Sequence, residues 1–192
     1  MKKTLFTLLL SSTIFAQEKA TDLKSIHINV IGIGASYEKA LADNFTVLGN
    51  INYSTINFRG TNDSLDMDLT IKLGLEGRYY YNFDRRLSKG KSTLNNSGNF
   101  VGLKIDYYTD WLSTYEGIGK DDDFVKLAAN YGIKRNFGKQ FYYEFNTGLG
   151  LIVDSYHSYK YSDDGGVNWI YSDKKTELSF LPEVGFRVGY NF

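Results

Sequence analysis

Between Asp66 and Phe83 apolar and polar side chains alternate almost without a break. Met67, Leu69, Ile71, Leu73, Leu75, Gly77, Tyr79, Tyr81 and Phe83 share one register, and Asp68, Thr70, Lys72, Gly74, Glu76, Arg78, Tyr80 and Asn82 the other. Successive side chains on a strand point to opposite faces, so this run predicts a strand with one apolar and one polar face; no helical period fits it. The same period two predicts strands over Ile26–Tyr37, Phe45–Phe58, Phe100–Thr109, Phe124–Phe137, Phe141–Asp154 and Thr176–Phe192. In the second of these Leu48 alone breaks the pattern by sitting on the polar face.

Polar stretches separate the strands. A short turn is expected over Lys39–Asn44, a loop over Gly60–Ser64, a basic connection over Asp84–Asn99, a loop over Asp110–Asp123 and a tight turn at Gly138-Lys139. The longest loop, Ser155–Lys175, holds the hairpin signal Asp163-Asp164-Gly165-Gly166. Tyr159, Tyr161, Trp169 and Tyr171 flank that signal, so the last two strands are expected to continue outward as a ribbon.

These strands exceed the usual globular length of about 5–6 residues, and about 9–11 tilted residues cross a bilayer. A chain that spans a membrane with strands must close them into a barrel, because an open edge has no hydrogen-bonding partner in hydrocarbon. The fold class expected is therefore all-β, an up-and-down antiparallel transmembrane β-barrel. Seven segments are legible, whereas such barrels carry an even number of strands. Three arrangements remain open: an eighth strand hidden near residues 18–30, Ile26–Tyr37 folding as two short pieces bent at Gly32 and Gly34, or a parallel closure. Eight strands are expected, with Pro182 making the seam of the closing strand irregular because it has no N–H to donate.

The final strand ends Phe186, Val188, Tyr190, Phe192 on one face. This resembles the terminal strand of small bacterial outer-membrane β-barrels of the OmpA, OmpX and OmpW kind, in which the closing aromatic and its alternating partners are read by the outer-membrane assembly machinery. The resemblance covers nearly the whole chain beyond its first residues, and rests on pattern rather than on a catalytic motif. It implies an outer-membrane location, contact with outer-membrane lipids and lipopolysaccharide, short turns on the periplasmic side and longer loops outside.

The start of the chain agrees with export. Met1-Lys2-Lys3, the apolar run Leu5–Leu10 and a small residue at Ala16 describe a signal peptide over residues 1–16, leaving 17–192 as one barrel domain. There is no Cys, so neither a lipid-anchoring cysteine nor a disulfide is available. Sixteen Tyr, 13 Phe, 19 Gly and one Pro suit strands with aromatic girdles. Without Lys2 and Lys3 the 22 basic residues fall to 20 against 22 acidic, a balance that offers nucleic acid no attraction.

Candidate chemistry lies on the polar faces. Lys72, Glu76, Arg78, Lys104, Asp106, Lys126, Lys134, Glu144, Asp154, Glu177, Glu183 and Arg187 are expected to point inward. They could line an ion path or a narrow channel for small solutes. The favoured expectation is a salt-bridge network, since eight strands enclose a space that side chains can just fill and buried charges need partners. The resemblance also admits an enzyme that modifies lipid A. His157-Ser158 with Asp154 or Asp163 would be its candidates, and His27 is the only other histidine. Neighbours on a strand point to opposite faces, so His157 is badly set to activate Ser158. No catalytic residue, metal or cofactor is therefore expected. Asp121–Asp123 is read as a solvated run rather than a Ca²⁺ site, and Arg85, Arg86, Lys89 and Lys91 as a solvated turn. Tyr159, Tyr161, Trp169 and Tyr171 are candidates for surface contact or, equally, for cross-strand packing of the ribbon.

Overall fold

The computed structural model of the chain describes residues 20–61, 64–109, 111–114, 124–161 and 169–192; for 55–61, 64–68, 154–161, 169–175 and 177 it describes the backbone alone. Eight strands follow in chain order: β1 (Leu23–Asn29), β2 (Gly32–Ala42), β3 (Phe45–Thr61), β4 (Ser64–Tyr79), β5 (Asn99–Tyr108), β6 (Phe124–Phe137), β7 (Phe141–Tyr161) and β8 (Trp169–Asn191). Each pairs antiparallel with the next, and β8 pairs antiparallel with β1, so the sheet is a closed up-and-down barrel.

The missing strand lies within Ile26–Tyr37, which is two strands rather than one. The chain reverses between Asn29 and Gly32, and Ile28 pairs with Ile33. Gly32 makes this possible: its φ is 114°, and a Cβ there would lie 2.1 Å from the Tyr53 carbonyl oxygen. Closure is antiparallel, with Ser25 opposite Asn191. Other boundaries also shift. β2 runs through most of the expected Lys39–Asn44 turn, to Ala42, with an irregularity between Ala40 and Ala42. β3 and β4 extend to Thr61 and from Ser64, leaving little of the Gly60–Ser64 loop. β7 and β8 take up much of the expected 155–175 loop, as the ribbon reading foresaw.

The run that alternates best ends early. β4 stops at Tyr79, the Tyr80 N–H turns to the Asn44 carbonyl (2.7 Å), and a short helix α1 (Phe83–Ser88) and a 3₁₀ turn (Leu94–Asn96) occupy the connection expected to be irregular. The cause is packing. Tyr80 and Phe83 are both fully buried and stack at 4.6 Å, a spacing of three residues that a strand cannot bury on one side.

The barrel is sheared. One row of paired residues runs Ile26, Ala35, Ile51, Leu73, Tyr107, Val125, Val153 and Leu178, yet Ile26 itself pairs with Tyr190, twelve residues further along β8. With about 3.3 Å per residue and about 4.8 Å between strands, that stagger tilts the strands by about 45°. The residues of that row point outward and are small, apolar or tyrosine. Leu103 (73%), Val184 (72%) and Phe180 (78%) are among the most exposed side chains, so the wall is apolar outside. Phe137, Phe141, Tyr190 and Phe192 make ring contacts with one another near the end that holds the Asp43–Asn44 and Gly138–Gln140 turns. This is termed the closed end, for the packing inside it.

The candidate functional site, the barrel lumen

At the closed end Tyr80, Phe83 and Phe100 pack with Ala20 into a fully buried cluster across the lumen. Phe100 fits because Gly132 faces it: a Cβ at Gly132 would fall 2.1 Å from its ring. The segment that carries Phe83 is tied down as a lid. Asn96 accepts from the Thr21 N–H (2.8 Å) and donates to the Thr21 carbonyl (2.9 Å), while the Asn95 amide donates to the Lys139 carbonyl (2.8 Å). Both asparagines have positive φ, a conformation this residue tolerates better than most. Beside the lid, Asp22 accepts from Lys39 (2.6 Å), the Ala40 N–H (2.9 Å) and Tyr37 (3.0 Å). The Lys39 bond foremost, then the Ala40 amide, holds its carboxyl below the usual range. Arg86 donates to the Ser92 carbonyl, whereas Arg85, Lys89 and Lys91 are exposed.

Above the aromatic plug lies a balanced charge network. The Arg78 guanidinium donates to both Glu144 oxygens (2.9 Å each) and, through Nε and Nη2, to Glu76 (3.0 and 2.7 Å). Arg187 donates to Glu144 as well (2.9 Å). Lys134 donates to Glu38 (2.9 Å), whose other oxygen accepts from Thr46 and Tyr80. Asn130 completes Glu76 (2.8 Å), and Arg78 lies 4.3 Å from the centre of the Phe100 ring. Three cations thus meet three carboxylates, nearly all out of solvent. That is the condition under which buried charge is tolerable.

Toward the other end the packing loosens. Lys72, Lys104 and Lys126 surround Asp106 at 3.8, 3.4 and 3.7 Å, and Lys104 and Lys126 also pair with Glu183. Here three cations face two carboxylates. They line a chamber of about 250 Å³ with Asn29, Asn50 and Asn52. The lumen is therefore filled in its closed half and hollow in its other half, which corrects the expectation of a lumen filled throughout.

Ten of the twelve predicted inward charges, all but Asp154 and Glu177, form these two clusters. The register sets Asp154 opposite Glu177, but their side chains lie outside the described residues. So do those of Tyr159, Tyr161, Trp169 and Tyr171; the backbone pairs Tyr159 with Tyr171 and Tyr161 with Trp169 across the ribbon. Of the closing-strand residues, Phe186, Val188 and Phe192 are exposed on the outer face and Tyr190 is half-buried. His157 and Ser158 lie on β7 beside a register shift, their side chains likewise undescribed, and Asp121–Asp123 falls outside the described residues.

Two lumen residues were missed. Glu38 escaped because the strand was ended at Tyr37; continuing Gly34 and Ser36 by two would have turned it inward. His27 is buried and its Nε2 meets Asn52 (2.8 Å), so its hydrogen-bond partner is an amide rather than a carboxylate. Leu48, the exception on the polar face, does point inward and is buried. No family profile, curated protein or solved structure matches this chain.

Proposed function

We propose that this chain is a non-enzymatic outer-membrane β-barrel, exported by a leader cut after Ala16, that serves envelope structure or surface contact through the 155–175 ribbon. The observation that carries the reading is the inversion of polarity across a closed wall. Apolar side chains from Ile26 round to Leu178 face outward, and paired charges face inward. In water such a wall would leave a continuous exposed apolar surface, an arrangement soluble monomers avoid; in a bilayer it is satisfied. The ring-packed aromatics near the closed end suit a membrane interface. On this reading the closed end faces the periplasm, the ribbon faces outward, and outer-membrane lipid and lipopolysaccharide surround the wall. The assembly machinery reads Phe186, Val188, Tyr190 and Phe192.

A narrow channel is the second reading, and the hollow half of the lumen is what favours it. Against it stand the Tyr80–Phe83–Phe100 plug and the Arg78 network below the chamber. Single-channel recording on refolded protein, with the heat-modifiable gel shift as the check on folding, separates the two. A folded barrel with a silent trace supports the structural role. Discrete ion-selective steps that change in Lys72→Gln overturn it in favour of the channel.

A further inference from the structure

The wall of the barrel is not of even height. β1 ends at Asn29 and β2 begins at Gly32, so their hairpin is short. On its β1 side, β8 is paired only from Arg187 to Asn191. From Leu178 to Phe186 no described residue pairs with that edge, on the order of 20 Å of wall height at this tilt. The facing edge of β3 is paired with β2 only as far as Ser54; Thr55 to Thr61 pair with β4 alone. Above the short hairpin the described wall therefore has a notch. Its β8 side carries the exposed apolar residues Val184, Phe180 and Leu178. Pro182 lies on the same edge, where the lack of an N–H costs least.

The chamber reaches this notch. Its lining includes Val30 and Ile31 at the hairpin tip, and Val184 and Phe186, whose side chains belong to the outer face. Inside, Lys72, Arg78, Lys104, Lys126 and Arg187 face Glu76, Asp106, Glu144 and Glu183, an excess of one cation. Arg187 also lines the chamber, nine-tenths buried, and its Nε donates to no described residue. The opening thus has an apolar rim and a small interior with one cation in excess and a donor, Arg187 Nε, to spare.

From this juxtaposition we infer that the chamber holds the head group of an anionic lipid from the surrounding leaflet, its phosphate among Lys72, Lys126 and Arg187 and its acyl chain leaving through the notch past Val30 and Val184. A chamber of about 250 Å³ takes a phosphate-sized head and excludes a large sugar head group. The apolar rim distinguishes the ligand from a free anion, which would gain nothing from Val184. The inference rests on the membrane reading above.

The test uses the refolded mature chain in dodecyl maltoside and isothermal titration with dodecyl phosphate, dodecylphosphocholine and inorganic phosphate. Dodecyl phosphate is expected to bind one to one, and the other two at least tenfold more weakly. Lys72→Gln, which removes the excess charge while leaving the Lys104–Glu183 pair, is expected to weaken dodecyl phosphate about tenfold, the range of one charged hydrogen bond. The native chain has no cysteine, so Val184→Cys can be given a bulky maleimide at the rim. That adduct should block dodecyl phosphate and spare inorganic phosphate, whereas the same adduct at Leu103→Cys on the outer wall should change neither. Equal binding of dodecylphosphocholine, or of inorganic phosphate, overturns the inference. If Lys72→Gln does not fold, the Val184 adduct decides alone. Flotation with neutral vesicles separates the two readings: a barrel that floats but does not bind loses the lipid site, and one that binds but does not float loses the membrane assignment.

Discussion

Arg78 on β4 and Glu144 on β7 meet across the lumen through two parallel hydrogen bonds of 2.9 Å, each residue almost wholly removed from solvent. They lie 66 positions apart in the chain and three strands apart round the wall. Glu144 also receives Arg187, so one carboxylate holds two guanidinium groups in place. Glu144→Met is expected to leave Arg187 without its carboxylate and Arg78 with Glu76 alone, the two guanidinium groups facing each other. It should lower unfolding stability by about 3–5 kcal/mol, the usual cost of breaking one side of a buried pair. The urea midpoint of refolded protein, followed by the heat-modifiable band, measures this. A loss under 1 kcal/mol would mean that water reaches the network.

Gly132 and Phe100 give a second expectation. Gly132→Ala places a methyl group 2.1 Å from the Phe100 ring, and the plug has to shift. A loss of about 1–3 kcal/mol is expected, as for other overpacked cores. Gly132→Ala with Phe100→Leu should recover part of it. Absence of recovery would place the strain elsewhere.

The lid over the closed end hangs on Asn96. Asn96→Ala leaves the part-buried Thr21 N–H and carbonyl without their side-chain partner, at about 0.5–1.5 kcal/mol for each hydrogen bond lost. Faster amide exchange across 83–98 with an unchanged barrel is the expected signature. Uniform acceleration through β1–β8 would show that the lid and wall unfold together.

Asp22 supplies a pH dependence. Its folded carboxyl is held below the usual range, chiefly by Lys39, so its contribution is present above the unfolded value of about 4 and is lost as pH falls through the lower folded value. The protection of the Ala40 amide, which donates to Asp22, measured against the intrinsic exchange rate at each pH, should therefore fall in strongly acidic buffer and hold from pH 5 to 8. Asp22→Asn should remove most of that dependence. If it does not, another group titrates there.

The assembly role proposed for the closing strand is separable from folding. Phe192 is 73% exposed, held by its N–H to the Lys24 carbonyl and by an edge contact with Tyr190. Phe192→Ala is expected to refold in detergent with less than about 1 kcal/mol of loss, as for other exposed positions. In cells it should accumulate unassembled. Normal assembly would remove Phe192 from the recognition signal.

Much of the barrel is legible along the chain because a strand's faces are set locally. Period two assigned Lys72, Glu76, Arg78, Lys104, Asp106, Lys126, Lys134, Glu144, Glu183 and Arg187 to the inner face, and all ten lie there. Failures occurred where distant residues decide. The reversal at Gly32 was one of three arrangements the strand pattern left open, and the close approach of Tyr53 is what selects it. Tyr80 and Phe83 abandon the strand because Phe100 and Ala20 offer them a buried site.

By itself, then, the sequence determined an all-β wall, apolar on one face and charged on the other, since alternation is a property of neighbouring residues. Which charges meet was decided only by closure. A stagger of twelve residues around eight strands set Arg78 against Glu144 and Lys134 against Glu38, and left one cation in excess around a hollow chamber. Shear belongs to the whole circuit of hydrogen bonds, and no single strand carries it.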